Sequence, residues 1–129
     1  MNLGGFLEIE MGNDIGVCVL LSAYKPDLKF FAGQLDSIDK QTFPLTLLVR
    51  NDCPESDSLE RFIQAHITKN AYRYYHGDNN LGYVKSFEAL LSLAEGDYVV
   101  LCDQDDIWEP NRVEVSLNHM LEEGSILDV

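Results

Sequence analysis

The chain has 129 residues, 46% of them hydrophobic, enough for one cored domain and too few for two. Nine basic against 22 acidic side chains leave a formal charge of −13, which repels phosphate backbones and anionic lipids and so argues against nucleic-acid or membrane-surface binding. The longest apolar runs, Ile15 to Ala23 and Tyr98 to Cys102, are far too short to cross a bilayer, and the N-terminus lacks a basic signal region, so a cytoplasmic location is expected.

Residues 1–14 mix Gly, Asn and acidic residues with isolated apolar ones and read as a leader; residues 15–129 read as the domain. Ile15 to Leu21 is a β-branched apolar run suited to a strand buried on both faces. Pro26-Asp27 opens a helix whose Phe31, Leu35 and Ile38 recur at helical spacing. Leu45 to Val49 is a second strand, ended by the turn-forming stretch Arg50 to Asp57. Asp57 and Glu60 have capping-box spacing, and Leu59, Phe62, Ile63 and Ile67 make the stripe of the helix that follows.

Tyr72 to His76 is a short aromatic strand, and the loop Gly77 to Gly82 leads into a helix with a stripe of Val84, Phe87, Leu90, Leu91 and Ala94, closed by Gly96. A buried strand, Asp97 to Cys102, runs straight into Asp103-Gln104-Asp105-Asp106, and Val113, Leu117, Met120 and Leu121 mark a last helix. Strand and helix alternate throughout, which predicts a three-layer α/β/α domain with a mostly parallel, Rossmann-like sheet. Cys18, Cys53 and Cys102 are odd in number and widely spaced, and they read as buried free thiols.

In such sheets ligands bind beyond the carboxyl ends of the strands, and the polar features of this chain collect there. Ser22 and Tyr24 follow the first strand, Asp52 the second, Asn80-Leu81-Gly82 precedes the third helix, and Asp103 and Asp105 follow a later strand. Aspartates at i and i+2 of an extended segment point the same way and can share a divalent cation, or a cation and a ribose; an acidic turn capping the next helix gives the same string. Tyr24 reads as the wall of a base pocket or as a boundary aromatic. Asp52 reads as an acceptor for a uracil or thymine imide N–H, or as a turn former. Gly82 supplies a permissive backbone angle, and Lys85 is a phosphate or base contact or a solvated helix residue. His66, His76 and His119 have no partner at metal-ligand spacing.

Taken as an ordered set, Val17 to Tyr24, Asn51-Asp52, Asn80-Leu81-Gly82 and Gly96 to Trp108 resemble a family 2 glycosyltransferase of GT-A type, and Asp103 to Trp108 is most similar to bacterial rhamnosyltransferase members. The resemblance implies a nucleotide-binding front half. Ser22, Tyr24 and Asp52 lie at the base, Asp103 at the ribose, and Asp105 with Asp103 at Mn²⁺ or Mg²⁺; Asn80, Gly82 and Lys85 complete the nucleotide set. It further implies inverting transfer from a dTDP- or UDP-sugar, dTDP-rhamnose among them, to a saccharide or lipid-linked saccharide in surface polysaccharide synthesis.

The chain departs from the family pattern in two ways. Asn51-Asp52-Cys53-Pro54 replaces the usual paired acid and small residues, and the family's acceptor half, which carries the catalytic base, lies beyond the last residue. No residue is therefore assigned as base, and the truncated face is expected to expose apolar surface and to favour self-association. Two rival readings are a sugar nucleotidyltransferase, which needs a glycine- and Lys/Arg-rich triphosphate loop that Ser22 to Pro26 does not supply, and a non-catalytic module that keeps the fold.

Overall fold

A strand covered on both faces has no exposed position, and Val17–Ala23 (β1) is buried at every residue. The remaining strands are Thr46–Asn51 (β2), Ala71–His76 (β3), Tyr98–Cys102 (β4) and Leu127–Asp128 (β5), and the helices are Leu28–Asp39 (α1), Leu59–His66 (α2), Tyr83–Leu93 (α3) and Arg112–Glu123 (α4). The structure, a computed structural model, describes residues 15–56 and 58–128. The leader expected over residues 1–14 and the Asp57 half of the capping box lie outside them. The sheet runs β3-β2-β1-β4-β5 with every pairing parallel, so β1 is its centre.

Side chains of β1 alternate between two cores, as the strand period requires. Val17, Val19, Leu21 and Ala23 pack with Leu47 and Val49 of β2 beneath Phe31, Leu35 and Ile38 of α1, Leu59 and Ile63 of α2, and Val113, Leu117 and Met120 of α4. Cys18, Leu20 and Leu48 meet Phe87 and Leu90 of α3 on the other face. The three layers are therefore uneven: among the described residues α3 is the one helix that contributes to this second cluster. Burying each large aliphatic side chain in these clusters contributes about 1.5–3 kcal/mol.

Several details differ from the sequence reading. The first strand starts at Val17, after Ile15 and Gly16. Asp27 caps α1 as expected, accepting from Lys29 N–H at 3.0 Å, whereas Ser58 at the start of α2 makes no side-chain cap bond. Helix α3 stops at Leu93 with Ala94 as its C-cap. Gly96 instead packs against the Gly16 backbone, where a Cβ would lie 3.0 Å from the Gly16 carbonyl oxygen. Val84 and Leu91 are exposed, and the buried face of α3 is Ser86, Phe87 and Leu90. The short β5 was not expected.

At the opposite end of the sheet, Asp39 at the end of α1 is buried and holds the turn into β3. Its carboxylate accepts from the backbone N–H groups of Thr68 at 3.0 Å, Lys69 at 3.1 Å and Asn70 at 3.0 Å, and from Asn70 Nδ2 at 3.1 Å. Burial pushes the Asp39 carboxyl up, but the Thr68, Lys69 and Asn70 donors together outweigh it and hold the group below its ordinary value. A carboxyl whose folded pKa is depressed stabilises the fold above the unfolded pKa of roughly 3.9 and loses that contribution as pH falls through the folded value. Asp39→Ala is expected to cost about 1–3 kcal/mol at neutral pH. The difference from wild type should shrink on acidification below about pH 4, as denaturant melts from neutral pH to pH 2 will show.

Candidate functional site

Register brings the carboxyl ends of four strands to one rim. Ala23 pairs with Asn51, Asn51 with His76, and Leu21 with Cys102. The chain therefore leaves the sheet at Tyr24, Asp52, Gly77 and Asp103 side by side, and the ladder continues briefly through Asp52 N–H to Ala23 C=O at 2.8 Å and Gly77 N–H to Asn51 C=O at 2.9 Å. Between β1 and β4 the strand order reverses, since β1 and β2 lead away to one side and β4 to the other. This is where an open α/β sheet leaves a crevice.

The Asp103–Asp106 string fills one wall of that crevice as a tight turn, with Asp106 N–H donating to Asp103 C=O at 3.1 Å and Asp105 in the left-handed region at φ 77. This corrects the extended geometry expected for Asp103 and Asp105. The cause lies on α1: Gln34, fully buried, donates from Nε2 to Asp103 C=O at 2.6 Å and accepts from Asp105 N–H at 3.1 Å. An amide that satisfies both a C=O and an N–H offsets the backbone strain of a non-glycine residue at positive φ. One turn on, Ser37 Oγ accepts from Trp108 N–H at 3.1 Å; Gln41 then donates to Glu109 C=O at 2.7 Å and accepts from Val113 N–H at 2.9 Å. Gln104 reaches the other way, accepting from Tyr24 N–H at 2.7 Å and donating to Tyr24 C=O at 3.2 Å. The two strand ends that flank the crevice are thus fastened to each other.

A second network lies beneath the loop before α3. Arg50, buried at the end of β2, pairs with the Asp52 carboxylate and donates to Asn79 C=O at 3.1 Å and Ser86 Oγ at 3.4 Å. Asp52 in turn accepts from Leu81 N–H at 2.9 Å and Gly82 N–H at 3.0 Å. The guanidinium fits because residue 77 is glycine; a Cβ there would lie 2.2 Å from Arg50 Nη2. Gly82 takes φ 84 and ψ 167, a region open essentially to glycine alone, and turns the chain into α3.

The other residues singled out in the sequence are placed as follows. Ser22 is buried with its hydroxyl donating to Ser86 Oγ at 2.6 Å, so it supports the rim from below. Tyr24 is 41% exposed at the crevice with the Lys25 ammonium 5.3 Å from its ring centroid. Asn80 and Lys85 are exposed, and Asn80 Oδ1 accepts from Gly82 N–H at 3.1 Å. Asp103 and Asp105 are exposed. Asp52 is only 2% exposed, so its first service is to the loop of its own chain.

Four contributors were not anticipated: Arg50, Gln34, Ser86 and Tyr83. Tyr83, the first residue of α3, donates a hydrogen bond from its hydroxyl to Asp103 Oδ1, and that bond to a carboxylate holds the Tyr83 hydroxyl above the ordinary phenol range. Gln34, Ser37 and Gln41 carried a readable signal, a polar row at i, i+3 and i+7 beside the apolar stripe. Beside Tyr83 an apolar groove of about 240 Å³ runs along Val84, Phe87 and Leu91 to Leu101 and Leu127.

Asp103 and Asp105 suit a hard divalent cation: both are carboxylates, both reach solvent, and one turn carries them. Among the described residues no three His, Cys, Asp or Glu side chains converge as a metal cluster. A cation held by this pair would complete its shell with phosphate and water oxygens, the habit of Mg²⁺. Among the described residues no helix is long and apolar enough to cross a membrane, and Cys18, Cys53 and Cys102 are all buried and free.

Comparison with known proteins gives this arrangement its family. WcaA of Escherichia coli K12, named as a colanic acid biosynthesis glycosyl transferase, is 32% identical over 74 residues, 57% of this chain and 26% of its own length. The uncharacterized glycosyltransferase MJ1057 of Methanocaldococcus jannaschii is 26% identical over 106 residues, 81% of this chain and 37% of its own. The chain therefore spans only a minor part of the curated relatives it matches. Two solved structures share the fold. TarS 1-349 of S. aureus, in complex with UDP-GlcNAc, superposes with a TM-score of 0.73 at 23% identity, covering 85% of this chain and 32% of that one. The mannosyltransferase PcManGT of Pyrobaculum calidifontis, in complex with GDP-Man and Mn²⁺, gives 0.70 at 20% identity, covering 82% and 32%. The sequence model of glycosyl transferase family 2 matches residues 18–129, nearly the whole described domain, and the chain belongs to that family.

Proposed function

We propose that this chain is the donor-binding part of a cytoplasmic glycosyltransferase that holds a nucleoside-diphosphate sugar at the carboxyl rim of its sheet. The observation that carries the proposal is the fastening of Tyr24 to the Asp103–Asp106 turn through Gln104, across the crevice where strand order reverses. Base-lining and cation-holding groups are thereby kept at a fixed separation, as a ligand with a base at one end and a diphosphate at the other requires. The nucleotide complexes of TarS and PcManGT support the reading.

Tyr24 walls the base, Ser22 braces the rim, and Asp52 offers an acceptor to a uracil or thymine imide, so the donor is a UDP- or dTDP-sugar, dTDP-rhamnose among the candidates. Asp103 takes the ribose, and Asp105 with Asp103 holds Mn²⁺ or Mg²⁺. Asn80, Gly82 and Lys85 flank the nucleotide from the start of α3. The cation, when bound, neutralises charge that develops on the departing diphosphate. In the transfer an acceptor hydroxyl oxygen bonds to the anomeric carbon, the bond from that carbon to the diphosphate oxygen breaks with its electron pair, and the hydroxyl proton passes to a carboxylate base outside the residues named here. The stereochemistry inverts. The acceptor is a saccharide or lipid-linked saccharide in surface polysaccharide assembly, a role that the name of WcaA supports. The apolar groove beside Tyr83 is the face through which the chain self-associates.

Three measurements test these assignments. Calorimetric titration with UDP and dTDP should show binding that needs Mn²⁺ and is lost in Asp105→Ala; a folded chain that binds neither nucleotide would sink the reading. Gln34→Leu should cost about 1–3 kcal/mol in denaturant melts. The same substitution should weaken Mn²⁺-dependent UDP binding by roughly tenfold, because the turn it holds carries both aspartates; unchanged affinity would show that the turn holds its shape without the glutamine. Sedimentation should reveal concentration-dependent dimers, and a monomer across the accessible range would remove the self-association claim.

A further inference from the structure

The Arg50–Asp52 pair bears on which base the site accepts, an inference that rests on the donor-site reading above. A free carboxylate is a two-pronged acceptor with about four lone-pair directions. In Asp52, Oδ1 takes both Arg50 Nη1 and Leu81 N–H, and Oδ2 takes Gly82 N–H. These three bonds leave one direction, on Oδ2, and 3% of the side chain still reaches solvent. The carboxylate has become a one-pronged acceptor.

Nucleobase edges differ in how many prongs they need. Guanine presents N1–H and the N2 amino group side by side, a pair of donors that matches both oxygens of a free carboxylate. Uracil and thymine present a single imide N–H between two carbonyl oxygens, which needs one acceptor direction. On the Oδ1 side, moreover, the nearest groups are the guanidinium N–H donors of Arg50. Guanine would bring an amino donor against them, whereas an imide brings a carbonyl acceptor.

The guanidinium is not free to swing aside. Nη2 donates to Asn79 C=O at 3.1 Å and Nη1 lies 3.4 Å from Ser86 Oγ, which is itself bonded to Ser22 at 2.6 Å. The Gly77 backbone closes over it with no room for a methyl group. We propose that Arg50, by occupying Oδ1 of Asp52, is a specificity-determining residue that makes the site accept a pyrimidine imide and reject guanine.

The test is the ratio of affinities for UDP or dTDP over GDP, each titrated with Mn²⁺ into wild type, Arg50→Met and Gly77→Ala. A ratio cancels any uniform loss of folded protein, which a purely structural role would produce. Wild type should favour the pyrimidine diphosphates by roughly 10- to 100-fold, the worth of one hydrogen bond to a charged group together with an unpaired donor avoided. In Arg50→Met the ratio should fall several-fold toward one. Gly77→Ala, whose Cβ would displace the guanidinium from 2.2 Å without removing it, should shift the ratio in the same direction and serves if Arg50→Met does not fold. Equal wild-type affinity for GDP, or a ratio unchanged in the folded variants while all nucleotides weaken alike, overturns the role of Arg50 and leaves the donor site standing. Failure of all three nucleotides to bind the folded wild type overturns the donor-site reading and this inference with it.

Discussion

Backbone that a loop carries out of water must find hydrogen-bond partners, and in this molecule α1 and the turn after it supply many of those for the connection from β4 to α4. Gln34 and Ser37 on one side of α1, and Gln41 just beyond its end, meet Asp103, Asp105, Trp108, Glu109 and Val113 in order along the chain. Each of these bonds contributes only about 0.5–1.5 kcal/mol net. Together they fix where the acidic turn sits, seat Trp108 in the larger core and start α4. Without such a row the turn would be held beside Tyr24 by Gln104 alone on that side, and the backbone that carries its aspartates would lose its support from below.

The rim is consequently a closed circuit of side-chain fastenings. Gln104 joins the turn to the end of β1, Ser22 and Ser86 join β1 to α3, Arg50 and Asp52 join β2 to the loop before α3, and Tyr83 returns from α3 to Asp103. Pre-organisation of this kind lowers the ordering cost of binding, since the groups a ligand meets are already in place. The sheet supplies the frame. Parallel pairing sets the ends of β1, β2 and β3 at one level and stops β4 two residues short of them, which leaves the Asp103–Asp106 turn room beside Tyr24.

What the sequence disclosed follows from which interactions have a period. The burial of β1, the stripe Phe31, Leu35 and Ile38, and the alternation of strand and helix are written as apolar patterns, and they were readable. Gathering of Tyr24, Asp52 and Asp103 at strand ends followed from topology. Long-range polar bonds leave a fainter mark: the spacing of Gln34, Ser37 and Gln41 shows a polar row but not its partner, since Asp103 lies 69 positions away, and Arg50 looks like part of a turn until Gly77 makes room for its guanidinium. The shape of the Asp103–Asp106 turn was misread for the same reason, because an isolated string gives no hint of the amide that bends it. Exposure of Val84 and Leu91 was hidden by a related gap. A stripe shows which residues are apolar, but not how wide a face the neighbours cover, and among the described residues no other helix joins the cluster that α3 covers.

The two cysteines of the central strands, Cys18 and Cys102, are chemically silent. Burial pushes the Cys102 thiol up to about 12 and raises that of Cys18. Thiolate is the species that alkylating reagents attack, and hardly any forms at neutral pH in such surroundings. Modification therefore has to wait for the sheet to open, since Cys18 and Cys102 lie on adjacent central strands. The rate at which these sulfurs are labelled would count openings of the β1–β4 seam, the line along which the crevice itself is built.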